Sequence, residues 1–192
     1  MRTEIRFAGV GGQGNLLAGE WVALAAHQMG LNALQSPTYT AQVRGGPTSV
    51  DVLIDKDEIV YPRLTDLNFF LCLAQNAWSY FARQLKPKSV VVIDPNLVTD
   101  VGEGPQMIYS IPIIQITKQK VEKPVYTSAV SLGIFCRLID VIPQKEMIRV
   151  IEENAPSGTV EKNLMAFHAG WESVSQYAAV SRSELAKKVE HV

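Results

Sequence analysis

Residues 9–14, Gly-Val-Gly-Gly-Gln-Gly, place Gly9, Gly11 and Gly14 in the G-x-G-x-x-G spacing, between an apolar run beginning at Ile5 and a helical pattern from Asn15 to Met29. Glycine lacks the Cβ that would obstruct a tight turn, so its backbone N–H groups can approach an anion closely. Gln13 adds a neutral amide able to hydrogen-bond a phosphate, another amide or a neighbouring backbone group. The same residues also read as a strand-to-helix turn that packs tightly and binds nothing. A dinucleotide site requires more: a carboxylate about 20 residues beyond the glycines, at the end of the second strand, for the ribose hydroxyls. Residues 31–37 are Leu-Asn-Ala-Leu-Gln-Ser-Pro and carry no acid, which argues against an ordinary NAD site.

A second stretch has the same chemical potential. Residues 36–48, dense in Pro, Gly and Thr, form a long connection for a compact domain, and such connections are usually functional or disordered. Here the functional reading is preferred. Arg44 stands before Gly45 and Gly46, a planar cation on a backbone that a partner or cofactor can approach, suited to a carboxylate or phosphate. The plainer reading is a surface arginine paired with a nearby acid such as Asp51. Tyr39 could stack on a planar group, though packing is the more common use of such a ring.

Together the GxGGQG turn, the Arg44-Gly45-Gly46 loop and a small-residue helix at residues 128–133, Ser-Ala-Val-Ser-Leu-Gly, resemble the gamma subunit of 2-oxoacid:ferredoxin oxidoreductases, over residues 1 to about 175. The loop wording and length look closest to the 2-oxoglutarate type. The resemblance implies a complex that converts a 2-oxoacid and coenzyme A to an acyl-CoA and passes electrons through iron–sulfur clusters to ferredoxin. It implies thiamine diphosphate and Mg held mainly between alpha and beta chains, clusters in partner subunits including a ferredoxin-like delta chain, and no cofactor bound by this chain alone. The gamma chain closes part of the assembly, and Gly11, Gly12, Gln13, Gly14, Arg44, Gly45 and Gly46 become its contact points for coenzyme A or another subunit. One departure is Ser128, where many relatives carry Asn, and it bears on any contact made by that amide.

Composition narrows the classes. The chain has 192 residues, 47% of them hydrophobic and 19% charged, enough for a sizeable core and few charges for an isolated monomer, which points to a covered surface. Three tryptophans are read as part of that interface. A formal net charge of −1 without a basic stripe gives nucleic-acid binding little support. No apolar run approaches the roughly 20 residues of a spanning helix, and the start has no cleavable-signal layout, so no membrane role is expected and the cytoplasm is the default. Cys72 and Cys136 each lie in an apolar run, and two cysteines cannot ligate a four-cysteine cluster. His27, His168 and His191 are scattered singly, without zinc spacing, and read as surface or satisfied core residues. No catalytic residue is assigned. Asp94-Pro95-Asn96 is a turn former that could present a carboxylate at a strand end.

The positioning elements alternate. Periodicity places strands at 3–10, 32–35, 48–54, 67–74, 89–94, 107–110 and 113–116, and helices at 15–29, 76–85, 125–141, 145–153 and 160–177. That order predicts a three-layer α/β/α sandwich with a largely parallel or mixed sheet and a helical C-terminal part, over residues 1–180. Residues 181–192, with Arg182, Glu184, Lys187, Lys188 and Glu190, read as a C-terminal tail, a solvated terminal helix or a frayed end. Two alternatives stand beside the gamma-type reading: a free-standing nucleotide-binding α/β enzyme, and an assembly protein without ligand contact.

Overall fold

The computed structural model describes residues 2–39 and 46–189, with the backbone alone for Tyr39 and residues 187–189. Its strands are β1 (Thr3–Val10), β2 (Asn32–Tyr39), β3 (Pro47–Asp55), β4 (Phe69–Cys72), β5 (Val90–Ile93), β6 (Met107–Ser110) and β7 (Val180–Ser181). They form one sheet in the order β2-β3-β1-β4-β5-β6-β7. The β1, β4, β5 and β6 block is parallel, while β3 runs antiparallel to both β1 and β2, and β7 antiparallel to β6. The sheet is therefore mixed, as expected, but the connection before β3 is shorter than residues 36–48: residues 36–39 extend β2 and 47–48 open β3, and the two strands pair antiparallel.

Alternation along the strands sorts side chains to two faces. Ile5, Phe7, Val50, Val52, Phe69, Leu71 and Val92 face one core, covered by α1 (Asn15–Gln28), α3 (Ile113–Val121), α4 (Thr127–Leu138), α5 (Gln144–Asn154) and α6 (Val160–Ser173). Phe7, Phe69 and Phe135 pack there with centroids 5.2–5.9 Å apart, each pair worth about 0.5–1.5 kcal/mol beyond its buried area. Ala8, Phe70, Cys72, Val91 and Ile93 face the thinner layer, with α2 (Gln75–Phe81) and residues 98–101. In that layer Arg6 is buried, its Nε and Nη2 donating to both oxygens of Asp51 across the β1–β3 pair at 2.6 and 2.7 Å, while Nη1 donates to Gln84 and the guanidinium lies 4.9 Å from the centre of the Phe81 ring.

Four expectations change. Residues 113–116 are not a strand but the start of α3. Asp94 at the end of β5 accepts from the backbone N–H of Ile114 at 2.8 Å, and Ile113, Thr117 and Val121 recur at helical spacing on the buried side. Asp94 is thereby fully buried and spent as a cap, its other oxygen accepting from Asn96 N–H. The tryptophans serve the core: Trp21 and Trp78 are buried, and Trp171 lies half-buried beneath the Arg137 guanidinium. Finally, the tail does form the terminal helix it allowed, α7 (Arg182–Val189), but residue 181 pairs in β7 before it and the start of the helix is not simply solvated. Arg182 is anchored, donating from Nε to Val101 O at 2.7 Å and covering the Trp78 ring at 5.1 Å. Burial draws its guanidinium pKa below the usual value, opposed by the charge of Asp100.

The helical layer is held by backbone contact between α4 and α6. A Cβ on Gly133 would collide with the carbonyl oxygen of Phe167, and one on Gly170 with the carbonyl oxygen of Val130. Helix propensity alone favours alanine over glycine by about 1 kcal/mol. Gly133→Ala should instead destabilise the chain by about 2 kcal/mol or more, because the helices must part or shear. Urea denaturation followed by circular dichroism checks the sign, and a stabilised Gly133→Ala protein would contradict this account of the interface.

Candidate functional site

The glycine turn sits at the carboxyl end of β1, in the middle of the sheet, and leads straight into α1. Gly12 and Gly14 adopt positive φ, 89° and 77°, where an L side chain is strained. Gly14 occupies the N-cap position of α1. No side chain caps that end and its first turn holds no acid, so the positive end of the helix is left for an external acceptor. Gly11 and Gly12 are exposed, and a Cβ at either would meet nothing within 4 Å. With Val10, Gly14, Asn15, Leu16, Leu17 and Thr48 they line an open depression of about 330 Å³.

Gln13 is engaged differently. Its side-chain oxygen accepts from the backbone N–H of Val10 and its amide nitrogen donates to the carbonyl of Leu73, both at 2.8 Å. The side chain thus ties the turn to the end of β4, the parallel neighbour of β1. Gly9 is a glycine because of it: a Cβ there would collide with the Gln13 amide oxygen and lie 2.6 Å from Asn15 Nδ2. Among the three partners open to this amide at the sequence level, the neighbouring backbone is the one it takes.

β1–β3 pairing brings the second loop to the first. Pro47 lies opposite Val10 and Thr48 opposite Gly9, with Thr48 Oγ1 at 3.4 Å from Gly9 O, and Gly46 is buried just before them. Arg44 and Gly45 lie outside the described residues, as does the side chain of Tyr39. Asp51, the local acid considered for Arg44, is gripped by Arg6.

Two further polar groups belong to this site: Asn15, which was not singled out, and Ser128, the departure from Asn. Asn15 Nδ2 and Ser128 Oγ are buried with no hydrogen-bond partner. They flank the turn from below: Ser128 stands at the start of α4, and a Cβ on Gly14 would lie 3.0 Å from Ser128 Cβ. The signal for Asn15 was its place directly after the last glycine, at the first residue of a helix. For Ser128 it was the small-residue run itself.

Other candidates lie elsewhere. His27 and His168 are exposed, on α1 and α6. Cys72 belongs to the core on one face of the sheet and Cys136 to the core on the other, so the two thiols cannot share a ligand. Among the described residues no group of three or more His, Cys, Asp or Glu could hold a metal ion, and no helix is long and apolar enough to cross a membrane. Burial pushes the Cys72 thiol up to about 12 and raises Cys136 as well.

The chain matches a family model described as pyruvate ferredoxin/flavodoxin oxidoreductase over residues 4–173. It is 35% identical over 175 residues to the 2-oxoglutarate synthase subunit KorC of Methanocaldococcus jannaschii, covering 90% of this chain and 94% of that one. Its fold superposes on the keto/oxoacid ferredoxin oxidoreductase gamma subunit from Geobacter sulfurreducens with a TM-score of 0.83 and 32% identity, over 93% of this chain and 99% of the other. A 2-oxoglutarate:ferredoxin oxidoreductase from Magnetococcus marinus, solved with 2-oxoglutarate, coenzyme A and succinyl-CoA bound, shares the fold at a TM-score of 0.81 and 22% identity; the match spans 94% of this chain and 32% of that longer one.

Two outcomes follow for the site. Gln13→Ala strips partners from a backbone donor and a backbone acceptor and should cost about 1–3 kcal/mol in the isolated chain; an unchanged urea midpoint would return Gln13 to a ligand-facing role. The thiols of Cys72 and Cys136 should resist an aromatic disulfide reagent at neutral pH and react only after denaturation, and a fast-reacting thiol in the native chain would contradict their burial.

Proposed function

Because the chain belongs to the pyruvate ferredoxin/flavodoxin oxidoreductase family, we propose that it serves as the gamma-type subunit of a 2-oxoglutarate:ferredoxin oxidoreductase and that its two glycine loops hold coenzyme A against the catalytic subunits. The complex joins the acyl group of a 2-oxoacid to coenzyme A, releases carbon dioxide and delivers two electrons to ferredoxin. Support for 2-oxoglutarate as the oxoacid is the near full-length likeness to a 2-oxoglutarate synthase subunit.

The observation that carries the coenzyme A reading is the open floor of the turn: Gly11 and Gly12 exposed without side chains, the uncapped start of α1 behind them, and Thr48 alongside. A phosphate is the natural guest of such a floor, because backbone N–H groups and the helix dipole both favour an anion. Arg44, with Gly45 and Gly46, would supply the countercharge from the adjoining loop. Within the chain, these residues bind and orient; none is placed to move a proton. Two buried cysteines on opposite faces do not fit an iron–sulfur cluster, so the clusters, like thiamine diphosphate and Mg, are assigned to the alpha, beta and delta partners. We place the assembly in the cytoplasm and read residues 1–180 as its oxidoreductase domain.

The free-standing nucleotide-binding alternative loses ground on topology. In a dinucleotide fold the second strand lies beside the first, whereas here β3 separates β1 from β2.

The test is native purification with partners, then assay of the complex with 2-oxoglutarate, coenzyme A and ferredoxin. The isolated chain should be colourless and inactive, and a pure isolated chain forming acyl-CoA would overturn the assignment. In the complex, Arg44→Ala should raise the KM for coenzyme A roughly 30-fold or more, the equivalent of about 2 kcal/mol for a charge facing a buried anion. An exposed pair would cost about 1 kcal/mol or less. Gly11→Val should leave the isolated chain's stability unchanged, since the side chain enters open space, and raise the same KM. Unchanged coenzyme A kinetics in both variants would remove the ligand from these loops.

A further inference from the structure

At the opposite end of the sheet from the glycine turn, the connection from β3 to β4 is built to project an apolar tip. Glu4 is 1% exposed, and its carboxylate accepts from Thr65 N–H at 2.5 Å, Thr65 Oγ1 at 2.8 Å and Asp66 N–H at 2.7 Å. Arg2 pairs with the same carboxylate and donates to the carbonyl of Arg63. Leu64 packs beneath, against the thinner core. Five polar contacts thus fix the base of a loop whose outer residues are exposed: Val60 is 85% exposed and Tyr61 55%, followed by exposed Pro62 and Arg63. A loop anchored in this way has already lost the entropy that docking would otherwise take, so its tip is preorganised for contact.

A receptor of matching chemistry lies beside it. Leu31, Ile54, Ile139 and Val141 line a depression of about 480 Å³ that also takes in Thr3 and Lys56. The strand that forms its edge, β3, runs directly into the loop, so tip and depression share one end of the sheet on either side of β1. On the rim stands Asp140, exposed. Among the described residues neither Asp140 nor the Arg63 guanidinium makes a hydrogen bond or ion pair. The two surfaces are complementary in kind: an aromatic tip with a free cation, and a mainly apolar hollow with Asp140 on its rim and Asp55 and Lys56 at the β3 end.

We infer that the occupant of this hollow is the Val60-Tyr61 tip of a second copy of the chain, with Arg63 of each copy meeting Asp140 of the other. A two-fold axis through this end of the sheet makes the contact twice and closes it, as an isologous dimer requires. Tyrosine and arginine are the side chains most used as interface anchors, here backed by a loop that needs no reordering. The contact lies away from the coenzyme A loops and does not depend on the reading given for them.

Sedimentation of the full chain over a range of concentrations tests it. A reversible monomer–dimer equilibrium is expected, and Val60→Ser/Tyr61→Ser should raise its dissociation constant at least 30-fold, about 2 kcal/mol at 1.4 kcal/mol per tenfold. Both residues are exposed, so circular dichroism should not change, nor should thermal stability at concentrations where the wild-type chain is monomeric. Arg63→Asp and Asp140→Arg should each weaken the dimer roughly tenfold and, combined, restore it, because the swapped charges face each other again. A chain that stays monomeric, a dimer indifferent to the tip variants, or charge reversals without mutual rescue would each overturn the inference. So would protection of residues 58–66 from hydrogen exchange only when partner subunits are present, which would give the tip to one of them.

Discussion

The contact on which the rest of the helical layer depends is the approach of α4 to α6, backbone against backbone. Gly133 lies against the Phe167 carbonyl and Gly170 against that of Val130, so the two helices sit closer than any pair of side chains would allow. Depth at this point sets position elsewhere. With α4 drawn into α6, Phe135 reaches the Phe7–Phe69 cluster on the sheet, and Ser128 comes beneath Gly14. Gly19 repeats the device where α1 meets the sheet, since a Cβ there would lie 2.6 Å from Val50 Cγ2. The path of the glycine turn is the last link in this series, fixed by packing that begins two helices away.

That series divides labour within the turn itself. Gly9, Gln13 and Gly14 look inward: Gln13 holds β1 to β4, Gly9 makes room for Gln13, and Gly14 makes room for Ser128. Gly11 and Gly12 look outward and touch nothing. Scaffold and contact surface therefore alternate along six residues. A net loss of one internal hydrogen bond costs about 1 kcal/mol, whereas orphaning a buried group costs up to about 3, so the inward residues should govern stability and the outward ones should be free to answer to a ligand.

Much of this was legible in residue order. The turn, α1, the parallel block and the three later helices α4 to α6 announce themselves by period and by glycine, whereas α3 does not: residues 113–116 read as a strand because two adjacent isoleucines carry no period, and the cap that decides the matter, Asp94, is nineteen residues upstream of Ile113. β7 was hidden because two residues have no periodicity, only an open edge of β6 to pair with. The tryptophans were misplaced for another reason, since composition counts them but only topology says which face they cover. Gln13 shows the limit most clearly. An amide in a glycine turn has the same donor and acceptor whether it meets a phosphate or Leu73 O, and the sheet order decides between them.

Sheet order also explains why a dinucleotide-like turn appears here without a dinucleotide acid. The acid works when the strand after the first helix lies beside the first strand, with its end over the ribose. Here β3 fills that place, running antiparallel, and β2 is displaced to the sheet edge. A carboxylate at the end of β2 would be one strand too far to reach a nucleoside seated on the turn. What arrives instead, along β3, is Gly46-Pro47-Thr48, so the chemistry opposite the glycines is supplied by the loop that enters β3. The missing acid and the neighbour of the turn are two consequences of one insertion: a strand placed between β1 and β2 removes the ribose contact and brings Pro47 and Thr48 opposite Val10 and Gly9.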